Sequence, residues 1–377
     1  MIGGGPDAFI GAIHRIAARM DGQIDLVCGA FSSSHEKSAV TGEALGLPAN
    51  RVYKSFTDMI LAEKDLPETE RMDFVSIVTP NHVHFAPAKL ALECGFDVVI
   101  DKPVTFSLEE AKELRDLVKS TGKVLAVTHT YSGYPMVKQA KQMIGDGKIG
   151  VIRKVYVEYL QGWLYNNLED SGNKQSLWRT DPERSGKAGC MGDIGTHAFN
   201  LAEYITGLQV KTICANLTTV VPGRLLDDDG AVLLQFDNGA SGTLIATQVA
   251  TGEENNIRIK VFGDKGGLEW QQEDCNSLIV KWPDAPKQTL RTGAGYAGAY
   301  AVHNTRTPAG HPEGYLEAFA NIYRNAAQLM LARKNGITAS DASLDFPGME
   351  DGVRGMAFVE NVVASSASEM KWWPFKV

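Results

Sequence analysis

The segment MGDIGTHAFN, residues 191–200, sets a carboxylate, Asp193, and an imidazole, His197, four positions apart. A histidine can take or give a proton near neutral pH, and a carboxylate one helical turn away can orient the ring or bind a hydroxyl. If residues 193–206 are helical, Asp193, His197, Asn200 and Tyr204 line one stripe, while Ile194, Ala198, Leu201 and Ile205 line another that faces a core. The same spacing also fits a plainer arrangement, with Asp193 as the helix cap and His197 on the surface. A second reactive group stands in VIDKPV, where Asp101, Lys102 and Pro103 follow an apolar strand. Open parallel sheets bind ligands at the carboxyl ends of their strands, although a lysine in a surface turn needs no ligand. VTPNHVH ends an earlier strand and puts Thr79, Pro80, Asn81 and His84 at the same edge.

The opening MIGGGPDAFIGAIHR reads as a glycine-rich turn followed by a helix. Gly3 and Gly5 allow a tight turn and close approach of a pyrophosphate, whose charge meets free N–H groups at the helix start, around Phe9 and Ile10. The third position of the pattern is Ala8 or, if Pro6-Asp7-Ala8 lengthens the loop, Gly11, which is preferred here. Only two residues precede Gly3, fewer than the roughly five of a buried first strand, so the chain is expected to start inside that strand. The next strand ends in GAFSSSHEK without the acidic residue that usually holds the ribose of NAD. Ser32, Ser33 and Lys37 can hold a 2′-phosphate or simply cap the following helix, so NAD and NADP both remain open.

Positioning such groups requires a scaffold, and the pattern of the chain supplies two. IDLVCGA, FVSIV, DVVI and KVLAV are short apolar strands separated by amphipathic helices, the signature of a parallel sheet covered on both faces. Ser107 and Glu110 form a capping box for one of those helices. From about Val151 the strands lengthen and alternate, as in VIRKVYVEYLQGW and GAVLLQFDNGASGTLIATQVA, with Asp237-Asn238-Gly239 as a hairpin turn. Helices over 135–145, 194–206 and 313–334 are expected to cover one face of this largely antiparallel sheet and to leave the other for an oligomer contact. Two stretches, NNLEDSGNKQSLWRTDPERSGKAGC and RTGAGYAGAYAVHNTRTPAGHPEG, are read as long loops, and the tail KWWPFKV as packed on the body or on a partner subunit. The fold class is therefore α/β: a dinucleotide-binding domain over 1–127 and an α+β domain with a large, mostly antiparallel sheet over 128–377.

With 377 residues, 44% apolar and 22% charged, the chain can bury two cores, and its net charge of -8 makes nucleic acid an unexpected partner. No apolar run approaches the ~20 residues of a membrane span, and the start lacks a secretory signal, so a cytoplasmic location is expected. The five cysteines (Cys28, Cys94, Cys190, Cys214, Cys275) are odd in number and lack C-x-x-C spacing, against a disulfide framework or a zinc knuckle.

Taken together, the glycine-rich start, TPNHVH, DKP and GDIGTH resemble the Gfo/Idh/MocA family over nearly the whole chain, with DKP where the family usually has Glu-Lys-Pro. The resemblance implies a Rossmann domain, a second domain whose sheet makes a dimer or tetramer, and NAD(P)-dependent oxidation of a sugar, sugar derivative or cyclitol. It implies that Lys102, Asp193 and His197 form the catalytic group with no metal: His197 as base, Lys102 as donor to the developing alkoxide, Asp193 as the orienting carboxylate. LQGW and SLWR look like sugar-oxidising branches, which puts Trp163, Trp178 and Arg179 near substrate; Tyr131, Tyr134 and His311 are weaker candidates. Two other readings stay open: a redox-neutral glycosidase or lyase that oxidises a sugar transiently, and a ligand sensor on the same fold.

Overall fold

The computed structural model describes residues 1–6, 8–169 and 174–377. The chain forms two compact units, Met1–His129 with Phe319–Val353, and Thr130–Ala318 with Arg354–Val377.

In the first unit, β1 (Ile2–Gly3), β2 (Phe74–Val78), β3 (Asp97–Ile100) and β4 (Leu125–Val127) lie side by side in that order, all parallel. Their apolar residues are almost wholly buried, as a sheet covered on both faces requires. Helix Leu108–Thr121 starts with the expected box: Glu110 N–H donates to Ser107 Oγ at 3.2 Å and Ser107 N–H to Glu110 Oε2 at 3.3 Å. Part of the expectation fails at IDLVCGA. Only Gly29 and Ala30 make isolated bridges, to Val52 and Ile2, because β1 has just two residues and gives Ile24–Val27 no ladder partner. Residues 319–353 belong to this unit, and Pro347-Gly348 extends the sheet edge: Val127 N–H donates to Pro347 O at 2.9 Å and Ala126 bridges Gly348.

The second unit is built on nine strands: β5 (Ile152–Leu160), β6 (Val210–Thr218), β7 (Asp229–Phe236), β8 (Ser241–Thr247), β9 (Asn256–Gly263), β10 (Gly267–Gln271), β11 (Ser277–Lys281), β12 (Gln288–Arg291) and β13 (Trp373–Pro374). Their order is β12-β11-β10-β9-β5-β8-β7-β6-β13, antiparallel throughout except for the β5–β8 pair. Alternate residues such as Val155, Val157, Ile259 and Leu244 join one core with Met136, Val137, Ala198 and Leu201 of helices Pro135–Gly145 and Thr196–Thr206. Tyr156, Glu158, Arg258, Lys260 and Phe262 lie on the other face, where Tyr156 is exposed. The tail pairs with β6 as expected, and the stretches read as loops contain short helices, Lys174–Arg179, Pro182–Ser185 and Ala299–His303. Among the described residues the cysteines are free, and no helix is long and apolar enough to cross a membrane.

Candidate active site

The glycine-rich start forms the turn its sequence requires, with one change of position. Gly3 and Gly4 take φ of 80° and 74°, the left-handed region open to glycine, whereas Gly5 does not. A side chain at Gly5 would instead meet Phe31 O at 3.1 Å, so its smallness serves close packing. Gly11 is the third glycine of the pattern: a Cβ there would lie 2.4 Å from Gly4 Cα. Arg15 Nη1 donates to Gly4 O at 2.7 Å and fixes the turn. Helix Phe9–Arg19 follows, and Ala8 at its cap supplies no side-chain acceptor. The first-turn N–H groups, those of Phe9 and Ile10 among them, therefore present a partial positive charge without a side-chain cap. This cradle fits a dinucleotide pyrophosphate. Asp7 lies outside the described residues. In the next loop, Ser34 N–H donates to Ser32 Oγ and Lys37 N–H to Ser34 Oγ, a helix-capping arrangement, with Ser33 and Lys37 exposed beside it.

At the carboxyl ends of β2 and β3 the predicted residues meet. Thr79 and Pro80 lead into the turn Asn81–Val83, and His84 is buried between the two loops, with Nε2 2.8 Å from Thr79 O and Nδ1 2.7 Å from Pro103 O. Asp101 Oδ1 accepts from Lys102 N–H at 3.0 Å and Thr128 Oγ1 at 2.7 Å. Burial pushes the Asp101 carboxyl up, but the His14 ring, the Lys102 charge and the Thr128 hydroxyl outweigh it and hold it well below the usual carboxylate range. His129 follows β4; burial, aided by the Lys102 charge, pushes its imidazole down to about 3. A cavity of about 1060 Å3 in this unit lies at the opposite edge, lined by Met1, Leu26, Phe74, Phe96 and Lys123 near the strand starts. It is on the wrong side of the sheet to be the dinucleotide site.

In the second unit, Asp193 sits in a π-helical turn, Met191–Gly195, that runs into helix Thr196–Thr206. It is not the cap. That task falls to Asp227, whose carboxylate accepts from Gly189 N–H at 2.7 Å and Met191 N–H at 2.8 Å and so anchors the turn. Asp193 Oδ2 accepts from Arg179 Nε at 3.1 Å and Gln248 Nε2 at 3.0 Å. The hydrogen bonds continue from Gln248 to Gln161 Oε1, which also accepts from Trp163 Nε1 at 3.0 Å. Gln161 Nε2 and Tyr159 Oη both donate to Asn255 Oδ1, at 2.6 and 2.7 Å. Asn255 Nδ2 donates to Tyr131 Oη at 3.0 Å, and Tyr131 packs edge-on against His197 with ring centroids 5.0 Å apart. Arg179 also lies over the Trp163 ring at 5.7 Å. His197, Asn200 and Tyr204 are buried, so the stripe is no surface face.

Of the residues singled out in the sequence, Asp193, His197, Tyr131, Trp163 and Arg179 thus belong to one connected group, and Asp101, Lys102, Pro103, Thr79 and His84 to another. Tyr134 makes none of these hydrogen bonds: it is core, packed on Trp270 at 5.2 Å and stacked on Tyr131 at 6.3 Å. His311 is exposed on a loop. The side chain of Trp178 lies outside the described residues. Sequence reasoning missed Gln161, Gln248, Asn255 and Tyr159, amides and a phenol on strands or just beyond them with no spacing to mark them. It also missed His129, although VTHTYSGYP displays it.

Residues 1–129 match the family model described as an oxidoreductase family with an NAD-binding Rossmann fold, and residues 137–269 match the Gfo/Idh/MocA C-terminal domain. The chain is 32% identical over 379 residues to the uncharacterized oxidoreductase YfiI of Bacillus subtilis (strain 168), covering 100% of this chain and 96% of that one. It is 34% identical to an inositol dehydrogenase homolog from Azotobacter vinelandii solved with NADH and myo-inositol, with a TM-score of 0.89 over 99% of this chain and 96% of that one. Levoglucosan dehydrogenase solved with NADH and levoglucosan is 26% identical, with a TM-score of 0.83 over 100% and 98% of the two chains. The levoglucosan dehydrogenase of Pseudarthrobacter phenanthrenivorans is 28% identical over 324 residues, 79% of this chain and 78% of that one. With both domains matched and a relative 32% identical over the whole chain, the chain belongs to the Gfo/Idh/MocA family of NAD-binding oxidoreductases.

Proposed function

We propose that this enzyme transfers a hydride between a secondary alcohol of a sugar, sugar derivative or cyclitol and NAD. The observation that carries the reading is the network running from Asp193 through Arg179, Gln248, Gln161 and Trp163 to Asn255 and Tyr131. Alternating donors and acceptors beside an aromatic face suit a ring that presents hydroxyls at its edge and C–H bonds on its faces. The relatives solved with myo-inositol and levoglucosan support the same substrate class.

When bound, NAD accepts the hydride at nicotinamide C4. His197 takes the hydroxyl proton as general base, and Lys102 donates to the oxygen as negative charge develops on it. Asp193, held by Arg179 and Gln248, accepts from a neighbouring hydroxyl and fixes which carbon faces the nicotinamide. The Gly3-Gly4 turn and the helix start at Phe9 and Ile10 would hold the pyrophosphate of NAD, and Thr79, Pro80, Asn81 and Pro103 would hold its nicotinamide half. Tyr156, Phe262 and the charged residues around them form the contact with a second copy of this chain. Incubating the protein with a panel of inositols, sugars and anhydrosugars and reading NADH at 340 nm tests the reading. Absorbance rising with at least one polyol supports it; cofactor binding without NADH from any of them, or product release at constant absorbance, rejects it.

A further inference from the structure

Within the first unit, one buried imidazole faces the back of the proposed site. His14, on the second turn of helix Phe9–Arg19, is wholly buried. Its Nδ1 is 2.6 Å from Tyr323 Oη, which is in turn 2.6 Å from Ser76 Oγ. Its Nε2 faces Asp101 Oδ1 at 3.8 Å. Phe319 closes the ring edge-on at 4.7 Å. Burial pushes the Tyr323 hydroxyl up, so it is neutral and has one proton to give.

When Tyr323 accepts from Ser76 and donates to Nδ1, the neutral ring carries its proton on Nε2, toward Asp101. The 3.8 Å separation is longer than a hydrogen bond and Nε2 has no hydrogen-bond partner among the described residues, so the contact with the carboxylate is one of dipole and charge. The same carboxylate oxygen accepts from the Lys102 backbone N–H and the Thr128 hydroxyl. Its orientation therefore links the dinucleotide helix to the peptide that carries the lysine.

We propose that His14 is a positioning residue for the reaction: with its ring fixed by Tyr323, Ser76 and Phe319, it holds the Asp101 carboxylate in the orientation that aims Lys102. This role deepens the hydride-transfer reading above and rests on it for the catalytic consequence. The groups facing the Lys102–Asp101 pair from neighbouring elements are His14 on the first helix, Thr128 and the neutral His129 after β4, and His84 from the Asn81–Val83 turn.

His14→Gln keeps a side-chain N–H that can reach Asp101, while His14→Phe keeps the volume and removes the donor. H14F should lower kcat by about tenfold or more with the NAD Kd changed by less than about threefold, and H14Q should stay within about threefold of the parent. The second readout needs no turnover. After 13C reductive methylation, the lysine resonance absent from K102R reports the surroundings of Lys102, and its chemical shift should move in H14F and hold in H14Q. Equal behaviour of H14F and parent, or of H14F and H14Q, in both readouts overturns the proposal. If the parent oxidises no alcohol, the functional reading fails and the resonance alone decides His14. If H14F does not fold, Tyr323→Phe, which removes one oxygen, should show the same changes in smaller degree, and parent-like values there overturn the proposal.

Discussion

Arg179 and Asp193 form an ion pair, Nε to Oδ2 at 3.1 Å, with both side chains partly buried and Gln248 donating to the same oxygen. The carboxylate is therefore aimed before substrate arrives, and preorganisation of this kind is what a positioning group contributes. Arg179→Gln should raise KM for the best polyol and lower kcat/KM by about 10- to 100-fold, while the NAD Kd stays within about threefold. Gln248→Leu should act in the same direction with a smaller effect. Steady-state kinetics beside a fluorescence titration with NAD separate the two; a cofactor Kd that moves as much as kcat/KM contradicts the assignment.

His197→Asn should reduce kcat by about 10²- to 10⁴-fold, the range for removing a general base. The buried ring is replaced by a smaller polar group against Tyr131, so some loss of stability accompanies it. Thermal unfolding distinguishes that loss from the catalytic one: a folded H197N with parent-like kcat rejects the role.

Gly11→Ala tests the cradle. The added methyl would lie 2.4 Å from Gly4 Cα, a distance no Cβ tolerates, so the helix must shift away from the turn. Loss of about 1–3 kcal/mol of stability is expected together with at least tenfold weaker NAD binding. Calorimetry of unfolding and of NAD binding measures both; unchanged NAD affinity contradicts the placement of the pyrophosphate.

Acid should destabilise the protein through His129. Its folded pKa, about 3, is below the 6.5 of an exposed histidine, so the unfolded state binds more protons between those values. The stabilisation is complete above about pH 6.5 and is lost as pH falls below it, by about 2 kcal/mol at pH 5. Asp101, held low, adds a further loss below the usual carboxylate range near 3.8. Chemical denaturation at pH 7 and pH 5 should show the drop, and His129→Gln should reduce it; an equal drop in H129Q contradicts its origin.

How much of this was legible depended on whether the information was local. Apolar runs at FVSIV and DVVI, the Ser107 box and the alternation of β5 to β9 each carry their structure in a few neighbouring residues, and the glycine spacing around Gly11 carries a close approach. IDLVCGA has the same texture as its neighbours yet forms no strand, since pairing depends on the length of β1 rather than on its own residues. The π-turn under Asp193 was hidden because its cap, Asp227, lies 34 positions downstream. Gln161, Gln248 and Asn255 acquire meaning only when the sheet places them in one hydrogen-bonded chain, and nothing in the local pattern of 319–353 marks its membership of the first unit.

The proposed function requires the Lys102 amine and the His197 imidazole to serve one proton-transfer step. A double-mutant cycle on NADH formation tests it: K102M, H197N and the combined variant are assayed with the best polyol at saturating NAD. If the two groups serve one step, the double variant is no slower than the worse single variant by more than about threefold. Rate losses that multiply in the double variant contradict the claim.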